Sequence, residues 1–270
     1  MEKIYKAVSL LKELGFIEPE LGIVLGTGLG NLIHEIEIEK QVSYEDIPGF
    51  PIATVEFHKG NLIYGTLEGK KVIVMEGRFH YYEGYSMQEI TFPIRVMKLL
   101  GVKKLLLSNA CGAMSIDTFK KGDIALLDDH INLLPDNPLI GKNMDEFGGR
   151  FPDMSAPYDP KMNAALKEAA AEINIPLNEA VYASVMGPNL ETRAEYRYLK
   201  VIGADLVGMS TVPEVIVANH MSLPCAVLSV ITDECNPDDL HPINIEDIIA
   251  VAKVAEEKMV RLIKQVINRL

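Results

Sequence analysis

The stretch Leu21–Leu32, LGIVLGTGLGNL, is a short apolar run that ends in a glycine-rich turn. A run this brief, bounded by glycine and without helical period, reads as a buried strand. The turn after it presents successive backbone N–H groups, the makings of an anion nest, and Thr27 adds a hydroxyl. Two familiar nucleotide loops do not fit. The P-loop requires GxxxxGK[ST], and no lysine follows here. The dinucleotide fingerprint requires GxGxxG, whereas Gly26, Gly28 and Gly30 are followed by Asn31 and Leu32. By itself the turn is equally a plain tight turn and an anion site.

Outward from this strand the same signature recurs. NLIYGTL, KKVIVME, KKLLLSNA, DIALLDDH, AVYASVMG, ADLVGMS and PCAVLSVIT are short apolar runs of strand type, and helical patterns fall between several of them. MEKIYKAVSLLKELGF is amphipathic, with Ile4, Ala7, Val8, Leu11 and Leu14 on one face. A helix is expected from Ser86, with Glu89 at capping-box spacing, to Gly101, kinked at Pro93. Another is expected from Asp159 with Pro160 in its first position, a third over Glu191 to Ile202, and a last from Asn244. The alternation predicts an α/β fold over residues 1–270, one domain with a mixed, largely parallel central sheet flanked by helices.

The chain of 270 residues is 48% hydrophobic and 24% charged, enough for a sizeable core. A formal charge of −12 and a pI near 5.0 argue against nucleic acid or an anionic membrane as partner. No apolar run approaches the roughly 18 residues of a membrane span. Cys111, Cys225 and Cys235 form no CxxC pair, so they read as thiols in a reducing compartment and the expected location is cytoplasmic. One segment, Asn132–Asp159, is rich in Pro, Gly, Asn and Asp and has no period. Loops of that length are uncommon unless functional or disordered, and its aromatic content favours a lid or an arm reaching another subunit.

Several strand ends carry chemistry-bearing residues. SNACGAM ends a strand in small side chains that allow a planar ligand or another backbone to approach. GPNLETRAEY places Glu191 where a first-turn acid would cap a helix. Ser210 follows a strand and precedes a helix, but Val212 breaks the GxSxG elbow, so that strained turn is not expected. Ser210 reads either as a helix N-cap or as an anion-binding hydroxyl. The acidic group Asp233, Glu234, Asp238, Asp239 and His241 matches no EF-hand spacing, and no metal site is expected. The densest stretch is MEGRFHYYEGY, Met75–Tyr85, whose inventory exceeds what a turn requires.

Together and in this order, GTGLGNL, FHKGNLIYG, EGRFHYYEGY, SNACGAM, GDIALLDDHINLLPDNPL, FGGRFPDMSAPYD, GPNLETRAEYRYL and GADLVGMSTVPEV resemble the trimeric, inosine/guanosine-type purine nucleoside phosphorylases over nearly the whole chain. The resemblance implies a distorted sheet, a homotrimer, and reversible phosphorolysis of purine ribo- and 2′-deoxyribonucleosides. Orthophosphate would be co-substrate, with no metal or organic cofactor. It implies a phosphate site of Thr27, His58, Arg78, His80, Ala110 and Ser210. The ribose site would comprise Tyr82 and Met209, with Phe151 contributed by the neighbouring subunit. The base site would comprise Ala110, Gly112, Leu190, Glu191, Val207, Thr232 and Asp233, with His80, Glu191 and Asp233 in catalytic roles. Arg78, His80 and Tyr82 would share a face if their strand continues, with Phe79 and Tyr81 turned into packing and Glu83 orienting His80 or His58.

Two positions depart from the mammalian-type members. Asp233 stands where those have Asn; protonated, it would deliver a proton to N7, and ionised, it would accept from a 6-amino group. Ile245 stands where a His often meets the ribose 5′-hydroxyl, which predicts weak discrimination against 5′-deoxynucleosides unless His241 substitutes. Three rivals follow. These are a 5′-methylthioadenosine or adenosine phosphorylase on the same fold, a serine hydrolase built on Ser210, and a non-catalytic nucleoside-binding protein.

Overall fold

A computed structural model of the chain describes residues 1–26, 30–54, 59–242 and 244–270, with the backbone alone at Ile245. The run after Glu20 forms strand β1 (Leu21–Leu25), buried along its whole length. Its side chains alternate between two cores. Val24 packs with helices α1 (Glu2–Glu13), α2 (Met87–Leu100) and α5 (Val212–His220), while Leu21, Ile23 and Leu25 pack with α3 (Pro160–Glu172) and α6 (Ile245–Val266). A strand covered on both faces needs apolar residues at every position, which is why it reads as a continuous run.

The remaining strands are β2 (Glu37–Ser43), β3 (Asn61–Leu67), β4 (Lys70–Glu76), β5 (Lys104–Ala113), β6 (Ile124–Asn132), β7 (Leu177–Ser184), β8 (Leu206–Gly208) and β9 (Cys225–Glu234). They form one nine-stranded sheet in the order β2-β3-β4-β1-β5-β8-β7-β6-β9, and β5 also pairs with β9. The pairings β5–β8, β8–β7, β7–β6, β6–β9 and β9–β5 therefore close a ring, from which β1, β4, β3 and β2 extend. The sheet is mixed, less dominated by parallel pairs than the strand–helix alternation implies, because β2–β3, β3–β4, β5–β8 and β6–β9 are antiparallel. Strand β2 has no counterpart among the expected runs: its residues EIEKQVS are largely exposed at the edge of the sheet.

The helix boundaries follow local chemistry. Ser86 caps α2 in a capping box with Glu89, Gly101 ends it in the left-handed region, and the helix runs unbroken through Pro93. Asp159 caps α3 by accepting the Met162 N–H at 2.8 Å, with Pro160 in the first turn. Ile4, Ala7, Val8 and Leu11 of α1 are buried as its pattern requires, but Leu14 lies past the helix end and is exposed. Helix α4 (Arg193–Val201) begins two residues later than the pattern implied. No described helix is long and apolar enough to cross a membrane.

Residues 133–159 form no helix or strand, but the segment is fastened to its surroundings. The Arg150 guanidinium donates to the carbonyls of Leu139 and Gly141 at 2.7 and 2.9 Å. Asn219 donates to the Pro157 carbonyl at 2.8 Å, and Arg95 lies 4.9 Å over the Phe147 ring.

Candidate active site

The ends of β5, β8 and β9, the segment before α4 and the first turns of α6 surround a cleft of about 280 Å³. Tyr82, Ala110, Gly112, Leu190, Glu191, Val207, Met209, Thr232 and Asp233 line it together, although they come from widely separated parts of the chain. Cys111, Pro188, Gly208 and Ile248 complete the wall.

Two local devices bring the polar groups here. The first is a bulge in β9. Cys111 pairs with Ile231 but Gly112 pairs with Asp233, so Thr232 is an extra residue opposite β5. Strict alternation would send Thr232 and Asp233 to opposite faces; the bulge turns both into the cleft. Gly112 is what admits this arrangement, since a Cβ there would lie 2.8 Å from Asp233 Oδ2 and 2.4 Å from Cys235 Sγ. The second device is the start of α4. Thr192 is the N-cap and Glu195, not Glu191, closes the capping box: Glu195 N–H donates to Thr192 Oγ1 at 3.2 Å and Thr192 N–H to Glu195 Oε2 at 2.7 Å. Glu191 is thus relieved of the capping role its position implied and faces the cleft. Burial there raises its carboxyl above the ordinary range, with the Asp233 charge adding to the effect.

Arg78, His80 and Ser210 are buried and are not among the lining residues; His80 stacks on Tyr82 of the wall, and Ser210 follows Met209 in the chain. The expected continuation of β4 through Arg78, His80 and Tyr82 does not occur. The strand ends at Glu76, and residues Tyr81–Glu83 form a single 3₁₀ turn. The grouping comes instead from stacking, the His80 and Tyr82 rings being 4.7 Å apart and 14° from parallel. Phe79 is buried in the core and Tyr81 packs against it, as expected. Glu83 orients His80: its Oε1 accepts the His80 backbone N–H at 2.7 Å and meets the ring Nδ1 at 2.9 Å. Burial depresses the His80 pKa, with Glu83 opposing the shift. With Nδ1–H on Glu83, Nε2 is an acceptor in the neutral ring and a second donor when the ring is protonated. Burial also pushes the Tyr82 phenol up to about 12, so it remains a neutral hydroxyl.

The Arg78 guanidinium is held by Glu214, with Nη2 at 3.0 Å from Oε2 and Nε at 3.4 Å from Oε1, and it also donates to the Ser108 carbonyl. Glu214 is the residue that sequence reasoning missed. Its signal was present, as the one acid in the apolar helix VPEVIVANH. Burial raises its carboxyl while Arg78 pulls it back down.

Ser210 is not a helix cap; Thr211 occupies that position, without a side-chain capping bond. Thr211 has φ 73° and ψ −53°, and Val212 N–H donates to the Ser210 carbonyl at 2.8 Å, which together define a γ-turn. The strained turn that the broken GxSxG pattern argued against is therefore present in another form. A β-branched residue in this region costs about 1–3 kcal/mol and persists only where its surroundings dictate it. Asn109 supplies part of that constraint, donating to Thr211 Oγ1 at 2.9 Å, and Thr211 Oγ1 lies 3.0 Å from Ser210 Oγ.

Other expected residues are placed elsewhere. Thr27 and His58 lie outside the described residues. The flanks of the glycine turn are tied down: Gly26 packs so closely on β5 that a Cβ would sit 2.7 Å from the Ser108 carbonyl, and the Asn31 N–H donates to buried Glu256 of α6. Phe151 is 90% exposed and lines a separate cavity of about 430 Å³ with His130, Ile140 and Met154. His241 is exposed, paired with Asp239 at 3.2 Å, and is not among the cleft-lining residues. Among the described residues no group of three His, Cys, Asp or Glu side chains is placed to hold a metal ion.

The family model of the phosphorylase superfamily matches residues 20–268. Purine nucleoside phosphorylase 1 of Bacillus subtilis is 45% identical over 266 residues, covering 98% of each chain. The crystal structure of isoform 2 of purine nucleoside phosphorylase from Schistosoma mansoni, in complex with cytosine and ribose-1-phosphate, superposes with a TM-score of 0.95 at 42% identity, covering 100% of this chain and 96% of that one. The schistosoma enzyme in complex with hypoxanthine gives a TM-score of 0.93 at 39% identity, covering 100% and 98%.

Proposed function

We infer the chemistry of the cleft from one premise: the chain belongs to the phosphorylase superfamily and, within it, to the purine nucleoside phosphorylases. Its reaction is the reversible phosphorolysis of purine nucleosides to free base and pentose 1-phosphate. The single observation that carries the assignment of the site is the convergence of Glu191, Asp233 and Tyr82 on one cleft, with His80 stacked on Tyr82.

In this reading the purine lies against Ala110, Gly112, Leu190 and Val207, where small and apolar side chains admit a planar ring. Glu191 accepts the N1–H of a 6-oxopurine, and Asp233 with Thr232 faces N7 and the 6-substituent. The pentose rests on Tyr82 and Met209. Orthophosphate, the co-substrate, takes Arg78, His80 and Ser210 with the Ala110 backbone, and Thr27 and His58 complete the set. Bond cleavage proceeds through an oxocarbenium-like sugar. Phosphate stabilises its positive charge, while donors at the base stabilise the negative charge building on the departing purine. The chain works as a homotrimer in a reducing cytoplasm, and exposed Phe151 reaches the sugar of the neighbouring site.

Inosine and guanosine are the preferred substrates because Glu191 is an acceptor for N1–H. A second reading, adenosine or 5′-methylthioadenosine phosphorolysis, is favoured by one observation: the first turns of α6 meet the cleft with apolar Ile248. The test is inosine cleavage with and without phosphate, with product identification. Hypoxanthine and ribose 1-phosphate are expected only with phosphate, and Arg78→Ala should lower the rate by roughly 10²–10³. Release of free ribose in phosphate-free buffer would overturn the reading in favour of a hydrolase.

A further inference from the structure

Two buried titratable side chains outside the cleft both grip the irregular segment that carries Phe151. Arg95 of α2 is 5% exposed, and His220, the last residue of α5, is 3% exposed. His220 Nε2 lies 3.1 Å from Asn143 Oδ1, and its Nδ1 lies 3.5 Å from Arg95 Nη1. The Asn143 amide fixes where the ring proton sits. Its Nδ2 uses both hydrogens, on Asp145 Oδ1 at 2.7 Å and on the Gly148 carbonyl at 2.9 Å, so Oδ1 faces the ring and Nε2–H is the donor. Nδ1 then turns a lone pair toward the guanidinium. Burial and the Arg95 charge both lower the His220 pKa, which keeps the ring neutral. Among the described residues no carboxylate pairs with Arg95; its guanidinium lies instead 4.9 Å over the Phe147 ring. Gly148 permits the close approach, since a Cβ there would lie 1.9 Å from the His220 carbonyl. The contacts reach Phe151 through its neighbour Arg150, which closes residues 139–150 into a loop by its bonds to the Leu139 and Gly141 carbonyls. Within that loop, Asn143 and Phe147 are the points that His220 and Arg95 hold. Phe151 follows at once and is 90% exposed, so packing of its own ring does not fix its direction.

We propose that Arg95 and His220 are positioning residues for Phe151: by fixing the 139–150 loop through Phe147 and Asn143, they set the direction in which that ring leaves its own subunit to meet the sugar of the next. The proposal rests on the phosphorylase reading and on the borrowed aromatic within it. An apolar side chain at position 95 would fill the interior without desolvating a charge, so packing alone gives no reason for a cation there. What the cation adds is direction. A guanidinium is drawn to the face of an aromatic ring, and its N–H to the ring lone pair of a neutral histidine. Each grip is therefore oriented, and a loop without helix or strand is held in one conformation from two different helices.

The measurement is kcat/KM for inosine at saturating phosphate. The variants are Phe151→Ala, Arg95→Met, His220→Ala, His220→Gln and Phe147→Leu, with Arg95→Met and His220→Ala also combined with Phe151→Ala. Arg95→Met and His220→Ala should each lower the value by roughly tenfold or more, and by no more than Phe151→Ala does, because a small misplacement far from the chemistry can cost about 10². Neither should lower it further once Phe151 is already Ala, since residues acting through one group are not additive. His220→Gln, which keeps an N–H near the position of Nε2, should recover most of what His220→Ala loses. Phe147→Leu removes the ring from the half-buried loop side, leaves both helices unaltered and should follow Arg95→Met. Losses that multiply with that of Phe151→Ala, a His220→Gln no better than His220→Ala, or a Phe147→Leu without effect would overturn the inference while leaving phosphorolysis and the borrowed ring intact. A Phe151→Ala variant with wild-type kcat/KM would instead overturn the borrowed aromatic, and the inference with it.

Discussion

Arg78 carries its charge into an interior where almost none of it meets solvent, and Glu214 makes that position tenable. Breaking a buried pair by removing one partner leaves an uncompensated charge, at a cost of about 3–5 kcal/mol. Glu214→Ala is therefore expected to lower unfolding stability by about that amount and to raise KM for phosphate; denaturant titration and a phosphate titration measure the two effects. His80 behaves differently, because burial depresses its pKa below the ordinary 6.5. A group of this kind contributes stability that is present above the ordinary value and lost as pH falls through the folded one. The melting temperature of the wild type should consequently drop more between pH 7 and pH 5 than that of His80→Asn. Glu191 has the opposite sign. Its carboxyl is raised above the ordinary 4.5, so its contribution is present below that value and lost as pH rises through the folded pKa. At pH 7 the charge is a burden on the fold, and Glu191→Gln should melt higher than the wild type while turning over inosine more slowly. The wild type melting above the variant at pH 7 would contradict the burial of that charge.

At the scale of elements, the site depends on irregularities laid over regular structure. The β9 bulge puts Thr232 and Asp233 in one cleft, and it fits only because Gly112 presents no Cβ to Asp233 and Cys235. Gly112→Ala should reduce kcat/KM for inosine by roughly 100-fold or more, in keeping with the loss of one preorganised group, and should lower the melting temperature as well. The regular elements were legible in the residues. Burial on both faces made β1, β3, β4 and β5 continuous apolar runs, and Ser86 with Glu89, and Asp159 with Pro160, marked helix starts. The Thr192–Glu195 capping box was equally legible in TRAE, and reading it would have placed Glu191 outside the helix. Other features were hidden for physical reasons. A bulge is a property of two strands in register, and no single run of residues carries that information. The γ-turn at Thr211 contradicts the preference of a β-branched residue, so only its surroundings can specify it. Strand β2 buries too little to show a pattern.

At the scale of the whole molecule, the chain brings together residues from Tyr82 to Ile248 at one cleft, yet it leaves Phe151 almost fully exposed beside a second cavity. A large aromatic held in that position contributes little to its own subunit. If it serves the next subunit's sugar site, Phe151→Ala should leave the unfolding free energy within about 0.5 kcal/mol of the wild type, as for an ordinary surface substitution, and still lower kcat/KM for inosine. Light scattering should give the mass of three chains for both proteins. A monomer with full activity would exclude the borrowed aromatic. The central claim is that one cleft seats the purine between Glu191 and Asp233 with phosphate against Arg78, His80 and Ser210. The most direct measurement is a crystal structure of the chain grown with hypoxanthine and phosphate. The account predicts N1 within hydrogen-bond distance of Glu191, N7 facing Asp233, and phosphate oxygens on the Arg78 guanidinium, the His80 ring and the Ser210 hydroxyl. Hypoxanthine bound away from Glu191, or phosphate bound without Arg78, would contradict it.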